Sequence, residues 1–204
     1  NISKKVKIIN NPTSIRNISE KLYSVKYLKF MPDTIFSQNI KEIKNFFKKY
    51  NQVILKPIHS YSGNDIYLLN KFDLKFIKKF IKKHSHIMCQ RYLSKIYKGD
   101  KRVFLINGQV VGAMKRYGKP GEFRSNLHRG GTYEYYRMSE PELKIAIKSA
   151  RQLKLPICGV DLLQSKRGPL IMEINSTPGL EGIEGASEKN IAKAIITFIE
   201  RNRR

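Results

Sequence analysis

Two stretches near the C-terminus decide how this chain folds: GVDLL at residues 159–163 and PLIMEINSTPG at residues 169–179. Aliphatic residues dominate both, and the polar residues between them favour a turn, so together they predict the two strands of a hairpin. When the strands are paired about Arg167, Asp161 falls opposite Glu173. Residues directly opposite each other on paired strands share a face, so these two carboxylates are predicted to meet.

Asn175 extends this pair into a candidate metal site. It lies two residues beyond Glu173, and the pleat of a strand returns it to the same face. Two carboxylates and an amide carbonyl, without His or Cys, form an oxygen donor set that suits Mg²⁺. The sequence therefore predicts Asp161, Glu173 and Asn175 as metal ligands. The alternative, a hairpin whose acids lie on a solvated face without any ligand, stays open, although acids are scarce in this chain.

The opposite face of the predicted hairpin is apolar throughout. A strand with one polar and one apolar face packs the apolar face against the core. On the same register, this face is predicted to consist of Val160, Leu162, Leu170, Met172 and Ile174.

The length of 204 residues allows one sizeable core or two small subdomains. An apolar fraction of 41% is ordinary for a globular protein, no apolar run is long enough to span a bilayer, and no signal-peptide pattern is present. Cys89 and Cys158 stand far apart in apolar surroundings, which predicts two core thiols in a reducing compartment. We therefore expect a cytoplasmic protein without a membrane partner.

The charge is strongly unbalanced, with 40 lysine and arginine residues against 16 acids and a formal net charge of +24. One interpretation is a polyanionic partner, such as a nucleotide or an acidic protein tail. The other is that the lysines decorate solvated helix faces, because in 39–50 and 73–83 they alternate with apolar residues at helical spacing. The second interpretation accounts for most of the charge, and a nucleic-acid partner is not expected.

Periodicity and turn signals predict an α+β chain whose pattern of elements changes near residues 93–99, where we place a boundary between two subdomains. The Asn107-Gly108 pair predicts a hairpin, and Ser139 with Glu142 predicts a capping box at the start of a helix. Before the change, we expect a helix with residues 19–22 in its first turns, helices over 39–50 and 73–83, and strands near 34–36, 53–57, 66–69 and 86–89. After it, we expect strands over 101–106 and 109–114, a helix from Ser139 to about Leu153, the acidic hairpin, and one last helix from about Ser187 to Arg201.

Several polar residues stand where an anion could bind. Lys56 closes an apolar strand just before the small polar loop HSYSGND at residues 59–65, so its ammonium could reach a phosphate covered by that loop, with a solvated lysine at a strand end as the open alternative. The single glycine of the loop is only a weak signal for phosphate binding. Asp100 and Arg102 share one face of a strand, which suits ribose hydroxyls and a phosphate respectively, although a simple surface ion pair is the common alternative.

The stretch from Arg116 to Gly131 is rich in arginine and glycine and lacks apolar periodicity. Such loops often bind anions, so Arg116, Arg124 and Arg129 are candidates, with a flexible surface loop as the open alternative. No Ser or Cys occurs with a His and an acid in a pattern typical of a catalytic triad, so the sequence does not support hydrolysis by a protein nucleophile.

The order of these motifs resembles that of the ATP-grasp carboxylate–amine ligases. The motifs are VILKP (53–57), QRYL (90–93), GDKR (99–102), EFRSNLHRGG (122–131), GVDLL (159–163) and PLIMEINSTPGLEGIE (169–184). From Glu122 to Glu184 the chain is most similar to the RimK-type ribosomal-protein glutamate ligases. The first half, including NNPTSIRNISEKL at 10–22, resembles bacterial glutathione synthetases equally well.

The resemblance implies an α+β ATP-grasp fold of two subdomains with the nucleotide between them. It implies that residues 1–18 are a linker from an absent N-terminal domain, that 19–93 form the small subdomain with the phosphate-covering loop, and that 94–204 form the C-terminal subdomain with the metal site.

The resemblance also implies a role for each matching residue. Lys21 and Lys56 would hold the α- and β-phosphates under a loop containing Ser62 and Gly63, and Gln90, Arg91, Tyr92 and Leu93 would lie against adenine. Asp100 would bind ribose, Arg102 the transferring phosphoryl group, Arg124, Ser125 and Asn126 the nucleotide and reaction centre, Arg116 and Arg129 the substrate, and Asp161, Glu173 and Asn175 two Mg²⁺ or Mn²⁺ ions.

The implied reaction is ATP-dependent ligation through an acyl phosphate, most simply the addition of glutamate to a protein or peptide acceptor such as an acidic tail. Glutathione synthesis, which joins glycine to γ-glutamylcysteine, is the alternative within the class. A non-catalytic module that binds nucleotides or polyanions is the alternative outside it, favoured by the few glycines in HSYSGND. The sequence is also compatible with a homo-oligomer.

Overall fold

The computed structural model of the protein describes residues 6, 8–18, 21–59, 64–94, 99–127 and 130–202, with the side chains of residues 18 and 21–25 left aside. Its contacts divide the chain into two units, which we describe separately. The first unit is Ser19–Ser94, and the second comprises Lys95–Arg204 together with Asn1–Ile18. Within the described residues, no helix is long and apolar enough to cross a membrane.

The first half of the chain contains α1 (Pro12–Ile18), a 3-10 segment (Lys21–Phe30), β1 (Thr34–Ser37), α2 (Ile40–Tyr50), β2 (Val53–Pro57), β3 (Tyr67–Leu69), α3 (Leu74–His84) and β4 (Ile87–Arg91). The second half contains β5 (Asp100–Ile106), β6 (Gln109–Tyr117), β7 (Thr132–Tyr135), α4 (Glu140–Gln152), β8 (Ile157–Ser165), β9 (Gly168–Asn175), α5 (Glu181–Ser187) and α6 (Ile191–Arg201).

The first unit is an antiparallel sheet in the order β1-β4-β2-β3 with α2 and α3 packed on one face. Alternate residues of β2 and β4, such as Val53 and Leu55, point into this core because successive side chains of a strand lie on opposite faces. Asn39 and Asp73 cap the two helices by accepting hydrogen bonds from backbone amides of the first turn. The lysines of both helices are exposed, which confirms that they occupy solvated faces.

The second unit is an antiparallel sheet in the order β7-β6-β5-β8-β9. Helices α5 and α6 cover one face by packing on Phe104, Ile106 and Met114. Residues of opposite parity, such as Val103 and Leu105, point to the other face, which is buried on the side of α4. We call the side covered by α5 and α6 the α5 face, and it carries the polar site described below.

The predicted capping box at α4 is confirmed, and it extends into the sheet. The Glu142 carboxylate accepts hydrogen bonds from the backbone amide and the hydroxyl of Ser139. It also forms an ion pair with the ammonium of Lys101, whose side chain points from β5 toward α4. Glu142 is 1% exposed and Lys101 is 8% exposed, so this is a buried pair on the face opposite the α5 face.

Asn10 ties the N-terminal segment to the second unit. Its side-chain nitrogen donates to the carbonyls of Ile157 (2.7 Å) and Ser176 (3.0 Å), and its oxygen accepts from the Ile157 amide (2.9 Å). Helix α1 begins at Pro12, with Asn11 accepting from the amides of Thr13 and Ser14. The role of residues 1–18 as a linker remains a prediction.

The structure departs from the predicted elements in four places, one of which is the unpredicted helix α1. The segment that begins at Lys21 is a 3-10 segment interrupted at Tyr27 instead of the expected helix. The predicted last helix is present as α6 but begins at Ile191 instead of about Ser187, because Glu188 adopts a left-handed conformation (φ 54°) that ends a separate, unpredicted helix, α5, and Asn190 caps α6. Strand β7 was not predicted, because all four of its residues are exposed and it shows no alternation of apolar and polar residues.

We expect both cysteines to resist alkylation until the protein unfolds. Cys89 and Cys158 are each 0% exposed, and burial raises the pKa of each thiol to about 12, so the reactive thiolate is scarce at pH 8. Iodoacetamide treatment followed by mass spectrometry should show no adduct in native protein and two adducts in guanidinium. Rapid native labelling of either thiol would contradict the buried positions.

Candidate functional site

The β8–β9 hairpin places its two acids opposite each other, as predicted, but it does so with a shorter turn and a bulge. The turn contains two residues, with Ser165 opposite Gly168, which is shorter than the loop implied by pairing about Arg167. That register alone would put Met172 opposite Asp161. A bulge between Asp161 and Leu162 makes Met172 an extra residue, so that Asp161 pairs with Glu173.

The same bulge makes the predicted apolar face partly wrong. Beyond the bulge, Leu162 pairs with Ile171 rather than with Met172, which is only half-buried. Leu163 and Leu170 are also buried, so β8 is covered on both faces over most of its length. The physical reason is that β8 is an inner strand of the sheet, between β5 and β9, and α4 packs against one of its faces.

A second bulge brings an arginine to the α5 face. The hairpin at Asn107-Gly108 is confirmed, with both residues at positive φ (50° and 74°) as a tight two-residue turn requires. The register then shifts between Phe104 and Leu105, so that Asp100 lies opposite Arg116. Without this shift, Asp100 would lie opposite the preceding lysine, and Arg116 would point to the other face.

The α5 face therefore gathers four charged residues from β5, β6 and β8, which we call the carboxylate–arginine cluster: Asp100, Arg102, Arg116 and Asp161. Arg102 binds Asp161 with two parallel hydrogen bonds, Nε to Oδ1 at 2.6 Å and Nη2 to Oδ2 at 2.7 Å. Arg116 donates from Nη2 to Asp161 Oδ2 at 2.9 Å and from Nε to Asp100 Oδ1 at 2.6 Å. Bidentate and charge-assisted bonds of this kind fix geometry strongly.

The second oxygen of Asp100 is bound by the loop that follows β6. Ser125 donates its hydroxyl to Asp100 Oδ2 at 2.6 Å, and its side chain is buried. Ser125 belongs to the EFRSNLHRGG motif, so this bond joins that motif to GDKR. The structure thus brings together two motifs that are well separated in sequence.

Burial and charge act in opposite directions on the cluster. Burial by itself would raise the pKa of Asp161, but the charges and hydrogen bonds of Arg102 and Arg116 outweigh it and lower this pKa to about 2. Burial likewise opposes the charged form of Arg116, yet its two carboxylate partners raise its pKa further above the ordinary value. Both groups are therefore charged at neutral pH.

The residues predicted as metal ligands offer an oxygen donor set at the edge of the cluster. Glu173 is exposed on β9 opposite Asp161, and Asn175 pairs with Gly159 on the same face. The side-chain nitrogen of Asn175 is buried without a hydrogen-bond partner among the described residues. An amide that turns about its last torsion puts its oxygen in that place, where a cation would be a suitable partner.

No group of three or more His, Cys, Asp and Glu residues that could hold a metal occurs in the described part of the chain. A site here therefore needs the amide of Asn175 as well as the two carboxylates. Oxygen donors without nitrogen or sulfur are the chemistry that Mg²⁺ and Mn²⁺ prefer, so the residues present fit such an ion.

The remaining candidates of the second unit lie in the loop between β6 and β7. Arg124 is folded onto Glu122, with Nε to Oε1 at 2.9 Å and Nη2 to Oε2 at 2.7 Å. Asn126 is half-buried in the same loop, and Arg129 lies outside the described residues. The roles predicted for these three residues remain predictions.

In the first unit, a chain of hydrogen bonds crosses the sheet on the face away from α2 and α3. The Lys56 ammonium donates to Gln90 Oε1 at 2.8 Å, and Gln90 Nε2 donates to the Thr34 hydroxyl at 3.0 Å. Gln90 is 3% exposed, so its side chain is a buried link between β1, β2 and β4. Its side chain is therefore committed to the sheet and orients Lys56.

The other predicted nucleotide contacts are described in part. The backbone amides of Arg91 and Tyr92 donate to the carbonyls of Asp33 and Gln52, which anchors the end of β4. Leu93 follows directly and is half-buried. Two further predicted contacts, Ser62 and Gly63, lie outside the described residues, as does the side chain of Lys21.

Sequence reasoning placed Arg116 at the substrate and did not find its bond to two carboxylates. The structure shows a buried side chain, 5% exposed, that is committed to Asp100 and Asp161. Counting residues from the Asn107-Gly108 turn would have paired Asp100 with Lys115, so a bulge-free register gives the wrong partner. A substrate contact by Arg116 remains untested.

With this geometry in hand, comparison with known proteins identifies the family. Residues 18–199 match the RimK-like ATP-grasp domain. The chain belongs to the RimK-like ATP-grasp family. The probable alpha-L-glutamate ligase of Saccharophagus degradans is 37% identical over 202 residues, which cover 95% of this chain and 67% of that protein. The corresponding protein of Vibrio parahaemolyticus is 38% identical over 202 residues, with the same coverage of 95% and 67%.

Solved structures show the same fold. The ATP-grasp ligase PsnB complexed with a precursor variant, Mg and ADP has a TM-score of 0.72 at 19% identity, covering 96% of this chain and 62% of that one. The D-alanine–D-alanine ligase of Bacillus anthracis has a TM-score of 0.67 at 18% identity, covering 93% and 65%. This RimK-like chain thus spans roughly two thirds of the length of the proteins that it matches.

These findings confirm the predicted α+β ATP-grasp fold and the predicted class of enzyme, an ATP-dependent carboxylate–amine ligase, at the level of the family. ATP-grasp ligases use ATP with Mg²⁺, which supports the predicted cofactors as a class.

We expect Asp161→Asn to lower the free energy of unfolding by about 2 kcal/mol near neutral pH, because a charged partner of two arginines is lost. The pKa of Asp161, about 2 in the folded protein, lies below its ordinary value of 3.8. Its contribution is therefore complete above pH 3.8 and is lost as the pH falls through about 2. Urea unfolding of both proteins across this range should show the difference shrinking in acid. The exposed substitution Glu200→Gln serves as a control, and a difference that does not change with pH would contradict the assignment.

Proposed function

We propose that this RimK-like chain carries the ATP-grasp region of a ligase that adds glutamate to a carboxylate on a peptide or protein acceptor. The observation that carries the proposal is the α5 face, where a pair of carboxylates and an amide stand beside two buried or half-buried arginines. The names of the curated relatives, alpha-L-glutamate ligases, support glutamate as the amino acid.

The proposed chemistry has two steps. An acceptor carboxylate oxygen attacks the γ-phosphorus of ATP, the bond to the β-phosphate oxygen breaks, and ADP leaves. The amine of glutamate then attacks the acyl carbonyl, the bond to phosphate breaks, and the amide forms with release of phosphate and a proton. No protein nucleophile is needed, in agreement with the sequence. Protein groups act by orientation and by stabilising the charge that spreads over the phosphoryl oxygens.

Several residues are proposed to perform that work. Arg102 would meet the transferring phosphoryl group and Asp100 the ribose, while Lys56 would hold phosphate oxygens. Arg124, Ser125 and Asn126 would face the reaction centre. Asp161, Glu173 and Asn175 would hold the divalent ion, which neutralises phosphate charge when bound.

We expect Glu173→Gln to abolish nearly all ADP formation while leaving thermal unfolding unchanged. The side chain is exposed, so its loss costs little stability, whereas removal of a carboxylate ligand weakens a divalent site strongly. Glu200→Gln, an exposed acid on α6, is the matched control and should keep full activity. Full ligase activity in Glu173→Gln would show that the metal assignment is wrong.

The amino acid and acceptor can be identified by measuring ADP release with ATP, Mg²⁺ and paired substrates. Glutamate with a peptide that ends in acidic residues should support turnover and add mass to the peptide. Turnover that requires glycine and γ-glutamylcysteine would favour glutathione synthesis instead. Nucleotide binding without turnover of either pair would favour the non-catalytic alternative.

A further inference from the structure

The side chain of Asn10 extends the second sheet, although Asn10 itself belongs to the N-terminal segment. Its oxygen accepts from the Ile157 amide at 2.9 Å, and its nitrogen donates to the Ile157 carbonyl at 2.7 Å. These are the two bonds that a residue of a neighbouring antiparallel strand makes. The same nitrogen also donates to the carbonyl of Ser176 at 3.0 Å. An amide side chain suits this place because it carries two donors beside an acceptor.

These three bonds lie where the ladder between β8 and β9 ends. The last pair of that ladder is Gly159 with Asn175. Ile157 precedes Gly159 by two residues, so its amide and carbonyl point to the same side of β8. Strand β9 ends at Asn175 and supplies no partner for them. The Asn10 amide takes that place and joins the start of β8 to the segment that leaves β9.

The segment that leaves β9 turns onto the α5 face. A Cβ built on Gly159 would lie 2.9 Å from the Cβ of Pro178, so Pro178 covers Gly159 closely. Gly159 shares the α5 face with Asp161, which lies two residues further along the strand. Ser176 thus stands between the end of the ladder and the packed Pro178, and its carbonyl is held by Asn10.

This arrangement determines the position of Asn175, whose amide is a proposed metal ligand. The side-chain nitrogen of Asn175 is buried without a hydrogen-bond partner among the described residues, so its backbone neighbours set where the amide stands. Gly159 pairs with Asn175 itself, and Asn10 holds the next residue. Asn10 is 6% exposed, and its loss would leave buried backbone groups without partners, which favours a shift of this segment.

We propose that Asn10 is a positioning residue of the metal site, which fixes the backbone on either side of Asn175 by joining Ile157 to Ser176. This inference rests on the proposed function, in which Asn175 is a metal ligand. It gives the N-terminal segment a role in metal binding without any contact between Asn10 and the ion.

A positioning role predicts which affinities change. Loss of the Asn10 amide should weaken the binding of Mn²⁺, because the Asn175 amide is no longer held in place. The affinity for ADP in the absence of metal should stay the same, since Asn10 bonds only to the start of β8 and to the segment after β9. A general distortion of the protein would weaken both.

The test is a double-mutant cycle of Asn10→Ala and Asn175→Ala. Mn²⁺ is titrated with ADP present, and water proton relaxation reports the Mn²⁺ bound to the protein. We expect Asn10→Ala to raise the dissociation constant of Mn²⁺ about tenfold. In the Asn175→Ala background the same change should have no further effect, because the residue through which Asn10 acts is gone. An equal factor in both backgrounds would overturn the inference.

The matched control is Asn190→Ala. Asn190 is another asparagine of the second unit that holds backbone, and it caps α6 by accepting from the Lys193 amide at 2.6 Å. Its loss should lower the melting temperature and leave the Mn²⁺ constant unchanged. Equal weakening of Mn²⁺ in Asn190→Ala and Asn10→Ala would show that the effect is general destabilisation, which would also overturn the inference.

A second variant keeps the test open should Asn10→Ala unfold. Asn10→Gln keeps the amide on a longer stem, so it can still bond to backbone but displaces Ser176. We expect it to raise the Mn²⁺ constant while the metal-free affinity for ADP, followed by calorimetry, stays that of the wild type.

The remaining outcomes separate this inference from the proposed function. A wild-type Mn²⁺ constant in a folded Asn10 variant, together with a raised constant in Asn175→Ala, would show that Asn10 only stabilises the fold and would leave the ligase proposal intact. An unchanged Mn²⁺ constant in Asn175→Ala would overturn the proposed metal site, and the inference with it.

Discussion

The structure of the second unit depends on keeping the charge of Asp161 inside the protein. A buried carboxylate is costly unless strong donors surround it, and two guanidinium groups supply them here. These donors lie on two other strands, so β5, β6 and β8 must pair in one particular register for both arginines to reach the Asp161 carboxylate. Burial of the Asp161 carboxylate therefore requires both the arginines of the polar site and the strand register that brings them to it.

Two bulges provide this register. Each inserts one residue into a hairpin, and each turns the side chains beyond it to the opposite face. One brings Arg116 opposite Asp100, and the other brings Glu173 opposite Asp161. Each tight turn by itself would fix one register for its pair of strands. Each bulge shifts that register by one residue, so that the charged residues lie opposite each other.

Net charge and local charge have different roles in this protein. The lysines of α2 and α3 are exposed, where salt screens them over roughly 8 Å, so they contribute to encounter with anions but not to a defined site. The four residues of the carboxylate–arginine cluster are balanced in charge and are largely withdrawn from solvent. A total charge of +24 thus gives little information about where the chemistry is. A few buried ion pairs give much more.

The sequence by itself determined most of the strands and helices, the Asn107-Gly108 turn and the capping box at Ser139, because these follow from local propensity and short-range spacing. It also placed Asp161 opposite Glu173, although the structure reaches that pairing through a bulge that the sequence did not predict. It also determined the family through the order of its motifs. Only the tertiary structure decided that Arg116 joins Asp100 to Asp161, that Ser125 binds Asp100, and that β8 is buried on both faces. Those contacts depend on where a bulge falls and on which elements cover a strand, and these are settled by packing between residues far apart in the chain.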